Sequence, residues 1–108
     1  MNELVSHGAQ RVVMLLGRRW ALPVLAALQG GPLRHHELRR IIGGVSDKVL
    51  VETLRALGEA HLVTRTVYPE VPLRVEYALT DAAQALCESL EVLNDWAATY
   101  WLAEARRP

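Results

Sequence analysis

The amino-acid sequence predicts a mainly α-helical fold with a small β wing, a winged helix-turn-helix carrying terminal dimerisation helices. Three observations predict it. Between Leu33 and Thr80, two short amphipathic segments are separated by Gly43 and Gly44, and two strand-like segments follow them. After Thr80, apolar residues repeat at spacings of three and four, a narrow seam that needs a partner helix. No set of residues with catalytic spacing lies between Leu33 and Thr80. A unit in this order ordinarily puts one helix into the major groove of DNA, so the pattern implies gene regulation rather than chemistry.

From Leu4 to Leu16 apolar residues fall at helical spacing, and Gly17 directly after them predicts a left-handed cap. A second helix is predicted from Trp20 to Gln29, with Pro23 tolerated in the first turn, where an amide would lack a partner anyway. Gly30, Gly31 and Pro32 stop it. The segment Arg34 to Ile42 puts Leu38, Ile41 and Ile42 on one side and Arg34, His35, Arg39 and Arg40 largely elsewhere, the pattern of a docked helix. Gly43 and Gly44 end it in a sharp turn.

Ser46 is placed to N-cap a helix that runs to Ala60, in which Leu50, Leu54 and Leu57 recur as a buried stripe. That leaves Asp47, Lys48, Val51, Glu52 and Arg55 on the outer face, the part of a helix-turn-helix that meets base edges. Leu62 to Tyr68 and Arg74 to Thr80 are rich in Val, Thr and Tyr and predict paired antiparallel strands. In the second, Val75, Tyr77 and Leu79 alternate with Arg74, Glu76 and Ala78. The loop between them holds Pro69 and Pro72, each removing an amide that would otherwise pair with another edge. Arg65 and Arg74 make this hairpin a candidate to reach phosphates or a minor groove.

Thr80, with Asp81 in the first turn, predicts the start of one long helix running to about Glu104. Its seam is Ala83, Leu86, Leu90, Leu93, Ala97 and Tyr100. Trp96 and Trp101 add apolar surface beyond what one short helix covers, which predicts a symmetric homodimer built from the terminal helices.

Composition agrees with a single domain, residues 1–108, with the helix-turn-helix at about 34–60, the wing at about 62–80 and the dimerisation helix at about 81–104. A chain of this size buries only about 60–65 % of its unfolded surface, so a second copy adds useful burial. The single Cys87 closes no internal disulfide, and the opening MNELVSHGAQR lacks the charged-then-apolar layout of a signal peptide, so a cytoplasmic protein is expected. The longest nearly apolar run, Trp20 to Leu28, is far short of the roughly 20 residues that cross a bilayer, and no membrane partner is expected.

Net charge is zero, which argues against a nonspecific nucleic-acid coat protein, but the charges are segregated. Residues 1–40 carry Arg11, Arg18, Arg19, Arg34, Arg39 and Arg40 against Glu3 and Glu37, while residues 81–105 carry only acids. A molecule polarised in this way holds phosphates on one face despite its neutral total.

Gly17-Arg18-Arg19-Trp20, Gly31-Pro32-Leu33-Arg34 with Glu37-Leu38, Val45-Ser46 with Leu50, Leu54-Arg55 and Leu57, Leu62-Val63 with Arg65, and Tyr68-Pro69-Glu70-Val71-Pro72 followed by Val75-Glu76-Tyr77 and Leu79-Thr80 resemble the HxlR-type winged-helix transcriptional regulators. The resemblance spans about residues 15–96, and it implies a small, dimeric, bacterial-type DNA-binding regulator without an added ligand domain.

Double-stranded DNA and a second copy of the chain are therefore the expected partners, with two recognition helices entering successive major grooves of a near-palindromic site. Lys48 and Arg55 are expected to make the principal base or phosphate contacts. Ser46 would fix the helix start, and Arg34, Arg39, Arg65 and Arg74 would neutralise phosphates. Some positions depart from the family pattern. His35 stands where an aromatic residue is usual, His61 where a glycine ends the recognition helix, and Gly58 where an acid is common. Val51 and Glu52 replace polar, uncharged residues on the reading face.

Candidate chemistry is sparse. His35-His36-Glu37 resembles the start of a metalloprotease helix, but Arg40 stands where the second histidine would be needed, and adjacent histidines point about 100° apart on a helix. Cys87 has no basic neighbour in the adjacent turns to activate a thiolate, and Ser46 forms no nucleophile arrangement with any histidine. No catalytic residue, metal or cofactor is expected. Trp20, Trp96, Tyr100 and Trp101 are candidates to line an apolar site for a small planar effector at the dimer interface, although filling the core is the simpler role. A protein-interaction module on the same fold is the alternative reading, kept open by Asp47, Glu52 and the neutral total charge.

Overall fold

Ser6 is extended (φ −78°, ψ 163°) and its Oγ accepts the Ala9 amide at 3.0 Å. That cap starts α1 (His7–Leu16). The computed structural model describes residues 6–102, so Leu4 at one end and Glu104 at the other lie outside the described residues. Gly17 is not the left-handed cap the sequence predicts. Its φ is −72°, its amide donates to the Val13 carbonyl at 3.0 Å, and a tight turn of Arg18 and Arg19 leads straight into α2 (Ala21–Leu28).

Gly31, at φ +123°, ends the turn after α2, and α3 (His35–Ile42) follows with the Arg34 amide donating to Glu37 Oε1 at 2.9 Å. Gly43 and Gly44 both take positive φ, +70° and +71°, the conformation that side chains resist and that makes the turn into α4 (Asp47–Glu59) so short. Ser46 caps α4 as predicted, accepting the Val49 amide at 3.2 Å.

The strands β1 (Val63–Tyr68) and β2 (Arg74–Leu79) pair antiparallel, Val63 opposite Leu79 and Tyr68 opposite Arg74. The free edge of β2 takes a third partner that the sequence did not announce: the Leu33 amide donates to the Tyr77 carbonyl at 2.9 Å and the Tyr77 amide returns the bond at 2.8 Å. The approach to α3 is thereby tied to the wing. Thr80 caps α5 (Asp81–Trp96), its Oγ1 accepting the Ala83 amide at 3.1 Å.

With no phenylalanine in the chain, the core is aliphatic. Leu25 and Leu28 of α2, Leu38 of α3 and Leu50 and Leu57 of α4 are each 2 % exposed or less, and each such leucine contributes about 1.5–3 kcal/mol of transfer free energy. They hold the three helices of the helix-turn-helix unit as one body beneath the small sheet.

The carboxy-terminal helix departs from its predicted course. Residues Ala97–Trp101 widen into a π turn, with the Leu102 amide reaching back to the Ala97 carbonyl. Ala83 and Cys87 are buried, and Leu93 and Tyr100 are more than half exposed. The radius of gyration, 16.0 Å, exceeds the roughly 13 Å of a compact chain of this length, so the outer helices project rather than fold back. Among the described residues no helix is long and apolar enough to cross a membrane.

Candidate nucleic-acid interface

The outer face of α4 carries the predicted set. Asp47, Lys48, Val51, Glu52 and Arg55 are all exposed, while Leu50, Leu54 and Leu57 are buried beneath them. Sequence reasoning missed Thr53, which is 3 % exposed. Its Oγ1 donates to the Val49 carbonyl at 2.8 Å, so the buried hydroxyl is satisfied inside the helix. The available signal was positional, because Thr53 sits three residues after Leu50 and four before Leu57.

Between α4 and the sheet runs an open groove of about 360 Å³, lined by Val51, Leu54, Arg55, Gly58, Glu59, Val63, Arg65 and Tyr77. It brings Arg55 of the helix and Arg65 of the wing to one surface, although ten residues separate them in sequence. Among the described residues neither of them, nor Lys48 or Arg34, forms an ion pair.

Other predicted contact residues are engaged within the protein. His35 Nε2 lies 2.8 Å from Asp47 Oδ1; an ionised carboxylate only accepts, so this nitrogen carries the proton. Arg39 donates to Asp47 Oδ2 at 3.0 Å and through Nε to the Val45 carbonyl at 3.2 Å. The hydrogen bond from His35, reinforced by the Arg39 charge, holds the Asp47 carboxyl below its ordinary value.

Arg74 is more fully occupied. Its guanidinium donates to both Glu70 oxygens, at 3.1 and 2.9 Å, and to Glu76, and it sits 3.8 Å from the centre of the Tyr68 ring. The Glu70 carboxyl is lowered chiefly by that hydrogen bond, and the Arg74 guanidinium is raised by it in turn. Arg74, expected at a phosphate, has its donors directed to the wing's own carboxylates.

The residues predicted for self-association divide by depth. Leu86, Leu90 and Ala97 are half-buried, whereas Leu93 is 57 %, Trp96 53 %, Tyr100 61 % and Trp101 65 % exposed. Val13 and Met14 on α1 are exposed as well. A largely apolar groove of about 370 Å³ between α2 and α5 is lined by Leu22, Leu25, Ala26, Leu90, Leu93 and Ala97. The rings of Trp96 and Tyr100 lie 6.1 Å apart. Trp20 does not join them: it packs on the core, its ring 3.7 Å from where a Cβ at Gly44 would stand, with Arg19 over it. Among the described residues no three histidine, cysteine or acidic side chains gather as metal ligands.

Comparison with known proteins agrees with this geometry. A family model described as HxlR-like helix-turn-helix matches residues 15–105. The HTH-type transcriptional regulator YtfH of Escherichia coli (strain K12) is 40 % identical over 88 residues, covering 82 % of this chain and 70 % of that protein. The reduced form of the transcriptional regulator YodB from B. subtilis superposes with a TM-score of 0.84 at 32 % identity, over 89 % of this chain and 94 % of that one. The quinone-bound form of YodB superposes with a TM-score of 0.80 at 29 % identity, over 89 % of this chain and all (100 %) of that one.

Proposed function

This chain belongs to the HxlR-like helix-turn-helix family of transcriptional regulators, and on that premise we propose that it acts in the cytoplasm as a homodimer that binds a near-palindromic DNA operator. The observation that carries the reading is the exposed outer face of α4 continuing into the groove that Arg55 shares with Arg65. Arg55 and Arg65 form no ion pair among the described residues, Glu59 at the same groove included, so their charge is available to phosphates. Lys48 and Arg55 contact bases or phosphates from α4, Val51 meets a thymine methyl, and Glu52 accepts from a cytosine amine. Ser46 fixes the start of α4 on the backbone, and Arg34 and Arg65 neutralise phosphates at its flanks. Arg74 is assigned to bracing the wing, and Asp47 and Arg39 to the junction of α3 with α4.

Two copies joined through their exposed terminal helices would set recognition helices about 34 Å apart, one turn of DNA. The exposed Leu93, Trp96, Tyr100 and Trp101 support that pairing. The existence of a quinone-bound YodB supports a small planar effector seated against the same aromatic residues.

Selection of bound duplexes from a random DNA pool tests the reading, followed by titration at several salt concentrations. A recovered near-palindrome, with affinity falling steeply as salt rises and weakened by Lys48→Ala, is the expected result. No enrichment favours instead a protein-interaction module, and a shallow salt dependence counts against the phosphate contacts.

A further inference from the structure

We infer that Asp47 is a positioning residue for DNA binding: bridged to His35 and Arg39, its carboxylate sets α4 against α3 and withholds its own charge from the DNA. This rests on the proposed DNA-binding function.

Asp47 is the first residue of α4, at the helix end whose free amides attract phosphate. A bare carboxylate at that place would repel the DNA backbone, and here it is not bare. Oδ1 takes His35 at 2.8 Å and Oδ2 takes Arg39 at 3.0 Å, so each oxygen has a donor carrying or able to carry positive charge. His35 and Arg39 are four residues apart and therefore share one face of α3.

The link also compensates for a weak connection. Only Gly43, Gly44, Val45 and Ser46 separate α3 from α4, and both glycines are left-handed, where the backbone is least restrained. The same Arg39 side chain that reaches Asp47 donates to the Val45 carbonyl at 3.2 Å, so one guanidinium ties the turn and the start of α4 to α3. The angle between the two helices decides where Lys48, Val51 and Glu52 fall over the base edges.

If Asp47 were only an acid facing DNA, removing its charge would tighten binding, whereas a positioning role makes the same change loosen it. Asp47→Asn is nearly isosteric and its side chain is 64 % exposed, so the fold is retained, as thermal unfolding will report. Affinity is measured for a duplex selected by the wild-type protein and for an unrelated duplex.

D47N is expected to bind the selected duplex about tenfold more weakly and the unrelated duplex within about twofold of wild type, since phosphate attraction alone does not need the helix angle. The double variant H35A/D47N is expected to be no weaker than D47N. Unchanged or tighter binding of the selected duplex by D47N overturns the inference and leaves the proposed function standing. A wild-type protein that selects no duplex overturns both.

Discussion

Arg74 lies over the ring of Tyr68, its guanidinium carbon 3.8 Å from the ring centre, and the two residues are cross-strand partners at the last rung of the hairpin. Glu70, in the loop, receives two of the same guanidinium's hydrogen bonds, and Glu76 receives another. One side chain thus joins both strands to the loop that connects them, which accounts for a wing held in place at a two-stranded, mostly solvated hairpin.

Arg74→Lys tests this bracing. Lysine keeps the charge but offers neither the fork that spans two carboxylates nor a planar group to lie on the ring. Hydrogen exchange of the wing amides, including Glu70, whose amide donates to the Tyr68 carbonyl at 2.7 Å, is expected to speed up by about tenfold, with little change in the helices. Unchanged exchange would mean that the hairpin holds its shape without the clamp.

A second prediction concerns the end of α4. The Leu62 amide donates to the Leu57 carbonyl at 2.9 Å and the His61 amide to the Gly58 carbonyl at 3.0 Å, the paired bonds of a Schellman cap. The left-handed position in that cap is His61, at φ +60°. His61→Gly is expected to stabilise the fold by about 1 kcal/mol, raising the melting temperature by roughly 4–8 °C in a domain of this size. The Thr80 hydroxyl, which donates to the His61 carbonyl at 2.7 Å, needs only backbone and is unaffected. A lower melting temperature would show that the imidazole contributes more than its backbone costs.

What the sequence made legible and what it hid follow from the range of the interactions. Ser46 and Thr80 were readable because a cap is a matter of two or three residues, and the glycine turn at Gly43 and Gly44 because only a few residue types take positive φ. Leu50, Leu54 and Leu57 were readable from period alone. The pairing of Arg74 with Glu70 and Glu76 was hidden, because composition does not reveal which carboxylate a guanidinium will meet. Gly17 failed for a related reason. A glycine after a helix predicts a left-handed cap, but here the chain enters α2 within three residues, and right-handed geometry makes the shorter connection. The π turn at Ala97–Trp101 leaves no mark in the apolar spacing, since it differs from an α turn by one residue.

Acid should reveal the junction between α3 and α4. The Asp47 carboxyl is held below its ordinary 3.8, first by the hydrogen bond from His35 and then by the Arg39 charge, so the unfolded chain binds this proton more readily than the folded one. The resulting stability is present above the ordinary value and is lost as the pH falls through the lowered one. Between pH 5 and pH 2, wild type is therefore expected to lose stability more steeply than D47N, as followed by urea denaturation across that range. Glu70, lowered in the same direction by Arg74, contributes equally to both proteins and cancels in the comparison. Identical slopes would mean that the Asp47 bridge has no net worth in water, as holds for many exposed ion pairs.

Self-association gives the last prediction. Among the described residues, Val13 and Met14 on α1 and Val92, Leu93, Trp96, Tyr100, Trp101 and Leu102 beyond the middle of α5 are exposed apolar side chains, while Leu22, Ile41, Val51, Val67, Val71 and Leu73 are exposed singly or in the wing loop. Single exposed hydrophobic residues are ordinary on a monomer, but six within residues 92–102, three of them large aromatic rings, are not. Leu93 is the informative position, because it borders the groove between α2 and α5 yet is 57 % exposed, so a charge placed there disturbs a partner more than the protomer's own core. Sedimentation equilibrium of wild type is expected to give twice the 12.0 kDa chain mass at micromolar concentration, and Leu93→Asp the chain mass itself, with its helical content retained. Loss of the second half-site should lower operator affinity by at least tenfold in that variant, since linked sites gain from each other's effective concentration. Wild type sedimenting as a single chain would remove the dimer from the mechanism and leave the terminal aromatic residues to a different partner.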